Sequence, residues 1–406
     1  MTRYLIVGNG AAGVTAAEEI REAEPQAEVT IVNAEKHPMY SRPGLAYVVI
    51  NEIPDRQVIA RQPEWYSANN FQVVQGAAAH IDVARRQLEL GDGRRLPYDR
   101  LLIATGARAV PLPYPGHDLD GVVYLDTLDG TRDLLRRAKR ARRAVVVGGG
   151  ITAFELVEGL LHHKVETHFL VRKDTLWGTV FNESESRAMA ERMTAHGVRI
   201  HFRSEVSELI GDRHGRVSGV RLNTGEVLPC DLVGAGIGVK PQIKLVHDTG
   251  ISVDKGILVN EYLETVVPGI YAAGDCAQVW DRWTERYTLD SLWPSAVAAG
   301  RIAGRNMTTV DPAKLQIGKK IVIPAPTTAA PTATGAGAAP VVDTASGETT
   351  YTVKSGDTLG KLATEFHTTV KAIQSANADL SSPDILASVF PAEATLVLDE
   401  ADRMLD

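Results

Sequence analysis

Short apolar runs alternate with Ala/Glu-rich and glycine-broken stretches along most of this chain. Tyr4 to Val7 (YLIV) is β-branched, apolar and of strand length, which predicts a strand buried on both faces. Gly8, Gly10 and Gly13 follow, and the Ala/Glu-rich stretch Val14 to Ile20 predicts a helix that starts on them. Val29 to Val32 (VTIV) falls where the second strand of a βαβ unit belongs. The same pattern recurs at Val145 to Val147, then Gly148, Gly149, Gly150 and Ala153, then the strand Thr167 to Val171. Between and after these units the pattern predicts a loop from Tyr40 leading into a helix at Tyr47 and a hairpin over Leu88 to Tyr98 turning at Gly91 to Gly93. It also predicts strands at Arg100 to Ile103, Val198 to Phe202 and Val217 to Leu222, and helices over Glu183 to His196 and Ser291 to Met307. Two more apolar strands end in glycine turns: Asp231 to Pro241, and Gly269 to Asp275, the latter closing on an acid. Pro111, Pro113 and Pro115 mark a boundary. The expected class is α/β, with two Rossmann-like dinucleotide-binding domains.

A strand, a glycine turn and a helix in that order form a phosphate cradle. Gly8 permits the sharp turn, Gly10 lets backbone approach a pyrophosphate, and Gly13 lets helix and strand pack closely. The phosphates then meet unpaired N–H groups at the positive end of the helix. Asn33 and Glu35 stand at the end of the second strand, where an amide or an acid meets the adenosine ribose hydroxyls. In the second unit that place holds Arg172 and Lys173, a charge swap that favours a ribose 2′-phosphate and hence NADPH. Ala153 replaces the third glycine and still permits close packing, and Glu155 lies near enough to the helix start to address a nicotinamide amide. Arg42, in a loop after a strand end, is expected to reach a phosphate, and Tyr47 an aromatic ring system. Asp275, directly after an apolar strand, suits a polyol hydroxyl chain.

A chain of 406 residues can hold two or three domains. Its net charge of −7 is mild and argues against nucleic-acid or membrane-surface partners. The basic cluster Arg136 to Arg143 reads as the solvated end of a helix before a strand. Two cysteines fit a reducing compartment; with a cofactor strand at the N-terminus and no apolar run of membrane-spanning length, the expected localisation is cytoplasmic, without a membrane span.

Residues 1–307 resemble the pyridine-nucleotide-dependent flavoprotein reductases, within them the NADH:rubredoxin and ferredoxin reductases and the flavin-binding part of assimilatory nitrite reductases. Four motifs match in order: GxGxxG at Gly8, ATG at Ala104, GxGxxA at Gly148, and YAAGD ending at Asp275. The resemblance implies FAD on residues 1–113 and 240–308 and NAD(P)H on 114–239. It implies FAD contacts at Gly8, Gly10, Gly13, Glu35, Arg42, Ala78, Thr105, Gly106 and Asp275, and nicotinamide-nucleotide contacts at Gly148, Gly150, Ala153, Glu155, Arg172, Lys173 and Gly238. Tyr47 and Glu155 stand as the catalytic candidates, and no metal is expected. Three departures narrow the chemistry. Pro43 occupies the place of the redox cysteine of coenzyme A disulfide reductases, Ala11 and Ala12 stand where NADH peroxidases carry a histidine, and Tyr47 replaces a lysine expected near the flavin. The implied reaction is hydride transfer from nicotinamide to flavin, then electrons to an external acceptor, a ferredoxin- or rubredoxin-type protein or a small molecule, without a redox-active disulfide.

Beyond Met307 the pattern changes. A Pro/Ala/Thr/Gly run within 309–349 reads as linker. Tyr351 to Leu380, within a segment 350–380, resembles the first two-thirds of a LysM peptidoglycan-binding module, and 311–324 its last third, in permuted order. Within 381–406, Thr395 to Leu405 is similar to the magnesium-binding motif of DEAD-box helicases, but no Walker A loop accompanies it and no function is assigned. Three unrelated pieces suggest a composite or frameshifted chain. The alternative function is a LysM-type glycan-binding protein with a vestigial flavoprotein domain.

Overall fold

The computed structural model describes residues 1–281 and 284–308, and beyond them 320–323, 341–342, 349–352 and positions 362, 365, 366, 368, 373 and 376. The chain begins β1 (Arg3–Val7), α1 (Ala11–Ala23), β2 (Glu28–Asn33), α2 (Gly44–Val49), α3 (Pro63–Ala68) and β3 (Phe71–Gln75). A small antiparallel sheet follows, β4 (Ala78–Asp82), β5 (Gln87–Leu90) and β6 (Arg95–Pro97), then β7 (Arg100–Ile103) and β8 (Ala107–Ala109). The middle comprises β9 (Val122–Val123), α4 (Leu128–Ala138), β10 (Arg143–Gly148), α5 (Ile151–His162), β11 (Glu166–Val171), α6 (Glu183–Ala195) and β12 (Arg199–Phe202). Next come β13 (Val206–Gly211), β14 (Val217–Leu222), β15 (Val227–Pro229), β16 (Leu232–Gly236) and β17 (Val239–Pro241). The chain then runs through β18 (Ile257–Val259), β19 (Ile270–Ala272), β20 (Ala277–Asp281), β21 (Arg286–Thr288) and α7 (Trp293–Thr308).

Two five-stranded parallel sheets organise these elements. The first has the order β19-β7-β1-β2-β3, the second β12-β11-β10-β16-β9. In each, the central strand (β1 or β10) runs into a glycine turn and then a helix (α1 or α5), at the point where the strand order reverses. That reversal opens a crevice at the carboxyl ends of the strands, where ligands bind in open α/β sheets. Leu5, Ile6, Leu101, Leu102 and Ile103 are fully buried because both faces of the first sheet are covered. The second sheet buries Val146, Leu156 and Phe169 on one face and Val145, Leu170 and Val220 on the other.

The chain leaves the first sheet at β8 and returns at β17, and these strands pair antiparallel, with Val239 opposite Ala109. α7 lies on α1 through small residues: a Cβ at Gly300 would sit 2.3 Å from the Ala12 carbonyl oxygen. The basic cluster Arg136 to Arg143 closes α4 and opens β10, and Arg136 and Arg137 both reach Asp133.

In the tail, β22 (Lys320–Ile323), β23 (Val341–Val342) and β24 (Thr349–Thr352) form an antiparallel sheet in the order β22-β24-β23, with Lys320 opposite Thr352. The piece read as the end of a LysM module therefore pairs with the strand that opens it. Val341 and Val342 lie in the run read as linker yet pair as a strand, because two β-branched residues suffice to extend an existing edge. Leu362 and Ile373 are buried, and Phe366 meets Tyr351 edge to face at 5.4 Å. The helicase-like stretch 395–405 lies outside the described residues, as does the rest of the linker. Among the described residues no helix is long and apolar enough to cross a membrane.

Candidate functional site

Three motifs distant in sequence meet at the first glycine turn. Gly8 has φ +124°, and a Cβ there would stand 2.0 Å from the carbonyl oxygen of Ala104, the first residue of the ATG motif. Gly13 packs as tightly from the helix side, its Cβ position lying 2.1 Å from the Gly8 carbonyl oxygen. Gly274 presses on Ala12 in the first turn of α1, one residue before Asp275. Gly10 differs: a Cβ there would meet nothing within 4 Å, and no side chain caps the α1 N-terminus. Open space above uncapped N–H groups is what a bound pyrophosphate requires.

A charged network rims this turn. The Glu35 carboxylate accepts from the Tyr40 hydroxyl at 2.7 Å, Arg42 at 3.0 Å and Arg108 at 2.9 Å. Burial pushes the Glu35 carboxyl up, but Tyr40, Arg42 and Arg108 outweigh it and hold the group below its usual pKa. Arg42 also donates to the Asp126 carboxylate at 3.0 Å. Arg108 Nη1 is buried without a hydrogen-bond partner, 3.8 Å from the nearest Asp126 oxygen. An orphaned buried guanidinium donor beside an open turn fits an anionic ligand. Asp275 is pushed above the ordinary carboxylate range by burial, with Arg42 opposing and Asp290 and Asp126 reinforcing the shift. Asn33 Nδ2 donates to the His37 carbonyl and its Oδ1 accepts from the Glu35 N–H, so its side chain also shapes the loop that carries Glu35. Thr105 Oγ1 donates to the Gln242 carbonyl at 2.7 Å, tying the ATG turn to the returning chain, and Gly106 takes φ +66°. Ala78 opens β4, half-buried against the first core.

The second turn repeats the design. Gly148 has φ +148°, its Cβ position 2.2 Å from the Gly236 carbonyl oxygen, and Gly236 lies against the backbone of Ala153. Gly150 faces open space above the uncapped N-terminus of α5, and Gly238 is likewise open. A cavity of about 640 Å³ runs beside this turn, bounded by Gly148 to Gly150, Arg172, Lys173, Trp177, Glu205 and Gly238. That volume suits a small-molecule or cofactor ligand. Arg172 Nε lies 3.8 Å from Glu205 Oε1, and both are largely exposed.

The two units meet along α2 and α5. A Cβ at Gly159 would stand 2.2 Å from Val49 Cγ1, and His163 Nε2 lies 2.9 Å from the Val49 carbonyl. Tyr47 is on α2 and Glu155 on α5, so the catalytic candidates ride on the two helices of this seam. Cys230 and Cys276 are buried and unpaired; burial pushes the Cys230 thiol up to about 12 and raises that of Cys276 as well. Neither has the thiolate character of a redox centre. Among the described residues no His/Cys/Asp/Glu group could hold a metal. Arg108, Asp126, Tyr40 and Trp177 went unread in the sequence; an arginine two residues after the ATG turn was the available signal.

Two glycine turns of one design on successive parallel sheets, one with a rim of arginines and acids, define a double dinucleotide-binding fold. The profile of the family described as pyridine nucleotide-disulphide oxidoreductase matches residues 2–300, and the chain belongs to that family. Its cofactors are FAD and NAD(P)H. A LysM domain profile matches residues 351–387. The chain is 32% identical over 278 residues to a nitrite reductase [NAD(P)H] of Bacillus subtilis, covering 68% of this chain and 34% of that protein. It is 33% identical over 275 residues to the rhodocoxin reductase of Rhodococcus erythropolis, covering 67% of this chain and 64% of that protein. The chain thus spans between a third and two-thirds of these relatives. The ferredoxin reductase for the CYP199A2 system of Rhodopseudomonas palustris superposes with a TM-score of 0.73 at 28% identity, covering 76% of this chain and 77% of that one.

Proposed function

We propose that this protein is an FAD-dependent NAD(P)H oxidoreductase that hands electrons to an external acceptor without a redox-active disulfide. The convergence of Gly8, Ala104 and Gly274 on one turn, with a second turn of the same build on the helix that abuts α2, carries this reading. The chemistry FAD would supply when bound is hydride acceptance from a nicotinamide and release of electrons one at a time. The chain supplies position and charge. Gly8, Gly10 and Gly13 admit the flavin nucleotide's pyrophosphate; Asn33 and Glu35 serve its ribose; Arg42 and Arg108 offset phosphate charge; Ala78, Thr105, Gly106 and Asp275 complete the contact set. Gly148, Gly150, Ala153 and Gly238 seat the nicotinamide nucleotide, and Arg172 and Lys173 favour a 2′-phosphate. Tyr47 and Glu155 orient the two rings from the seam. Two buried high-pKa cysteines support electron release to an outside partner, a ferredoxin- or rubredoxin-type protein or a small acceptor.

The test is a purified yellow protein titrated without oxygen. Its visible flavin band is expected to bleach with NADPH, less readily with NADH, and to return on adding ferredoxin, rubredoxin or a dye. Protein that carries no flavin after gentle purification would sink the proposal. The LysM match supports a second role for the tail, glycan binding. Retention on insoluble peptidoglycan by the full chain, lost on deleting residues 309–406, is the outcome that reading requires.

A further inference from the structure

Trp177 is an anomaly at the lip of the second cradle. Its φ of +40° is rare for a bulky aromatic and strains the backbone there. The next residue is Gly178, so glycine sits one position away from where the backbone needs it. The unusual turn is held in place: Trp177 N–H donates to the Gly149 carbonyl at 2.9 Å, and the Trp177 carbonyl accepts from Val180 and Phe181 at 2.8 and 3.0 Å. The indole leans on Phe154 of α5 at 6.1 Å and meets Phe181 edge to face at 5.4 Å. Two aromatic neighbours and a backbone tether thus fix a ring that lines the same cavity as Gly148 to Gly150, Arg172 and Lys173. The side chain is half-buried, and its indole N–H has no acceptor among the described residues. Strained, over-determined residues of this kind gather at ligand sites.

We propose that Trp177 is a nicotinamide-nucleotide-binding residue: its ring forms the wall against which the dinucleotide seats, and its indole N–H donates to a pyrophosphate oxygen. The tether holds the Trp177 backbone on the glycine turn itself, and the residue lines the cavity beside that turn, where a pyrophosphate would sit. The inference rests on the reading of the second turn as a nicotinamide cradle. A conformation fixed before binding spares the ordering cost that a mobile side chain would add.

The FAD-loaded full chain carries the test, with NADP⁺ and NAD⁺ as non-reducing probes in calorimetric titration. Trp177→Phe keeps an aromatic ring between Phe154 and Phe181 but removes the donor together with the second ring of the indole; it is expected to weaken the preferred nucleotide about five- to tenfold, with flavin content unchanged. In the wild type the nucleotide is expected to quench part of the tryptophan emission, and that component should vanish in Trp177→Phe. Unchanged affinity together with an unchanged quench in the variant overturns the inference while leaving the cradle reading intact. A wild-type protein that binds neither nucleotide overturns the cradle reading itself. A variant that unfolds is answered by the wild-type emission: absence of any quench at saturating nucleotide rules the indole out.

Discussion

Glycines of one motif answer to different forces. Gly8 is demanded by the fold, since a side chain would strike the Ala104 carbonyl at a φ only glycine adopts comfortably. Gly10 meets no protein atom within 4 Å of a Cβ, and the proposed flavin pyrophosphate would use that space. Gly8→Ala is therefore expected to destabilise the flavin-free protein by about 2–4 kcal/mol. Gly10→Val should leave its denaturant midpoint unchanged yet abolish flavin retention; urea melts and absorbance spectra of both variants check the contrast. Asp275 shows the opposite trade. Its carboxyl titrates higher in the folded protein than in the unfolded chain, so ionising it costs stability above the folded pKa and costs nothing below the unfolded value. Asp275→Asn should raise the flavin-free melting temperature at pH 7, the gain fading toward about pH 4, while flavin affinity falls. Differential scanning across that range, with flavin content, decides it. The glycines were legible in the sequence because their spacing is local. Arg108 and Asp126 were not, since their roles arise only when β8 and the stretch before α4, 18 residues apart in sequence, come together around Arg42, with Arg108 also reaching Glu35. The place of Asn33 at the end of β2 was legible, while its bonds to His37 and Glu35 were not, because they depend on how the following loop folds back.

Among the elements, the seam of α2 and α5 sets the relation between the cradles. Gly159 lets the helices approach, and a Cβ there meets Val49. Gly159→Leu should hold the helices apart, leaving nucleotide affinity nearly unchanged and slowing flavin reduction by about 10- to 100-fold, as small misplacements do. Stopped-flow reduction alongside nucleotide titration separates the two effects; an unchanged reduction rate would show that the seam does not govern alignment. Strands β1, β2, β7, β10, β11, β16 and β19 were readable as continuous apolar runs because both their faces are covered. Strand β3 was missed: it is a sheet edge, its Val73 is exposed, and its pattern of buried and exposed positions follows no simple period. The neck strands β8 and β17 are three residues each and gain their structure from one another, so no local signal announces them.

At the scale of the molecule, the first sheet is completed by β19, which arrives after the whole second sheet has been laid down. This architecture was legible because the second glycine turn repeats the first, and a repeat fixes class more firmly than any single motif. The tail was legible as LysM-like, and its β22–β24 pairing joins pieces on either side of the linker. Residues 1–308 hold both turns, their rims and the α2–α5 seam, so a protein ending at Thr308 should keep its flavin and its NADPH-dependent dye reduction. Loss of either on truncation would show that the tail serves the flavin site. The central claim is a division of labour, one turn gripping a resident flavin and the other receiving the donor. Anaerobic reduction of Gly150→Val by NADPH tests it most directly: the account predicts a yellow protein with wild-type flavin content whose band fails to bleach with NADPH yet bleaches with dithionite. A variant that bleaches at the wild-type rate, or one that loses its flavin while remaining folded, would contradict it.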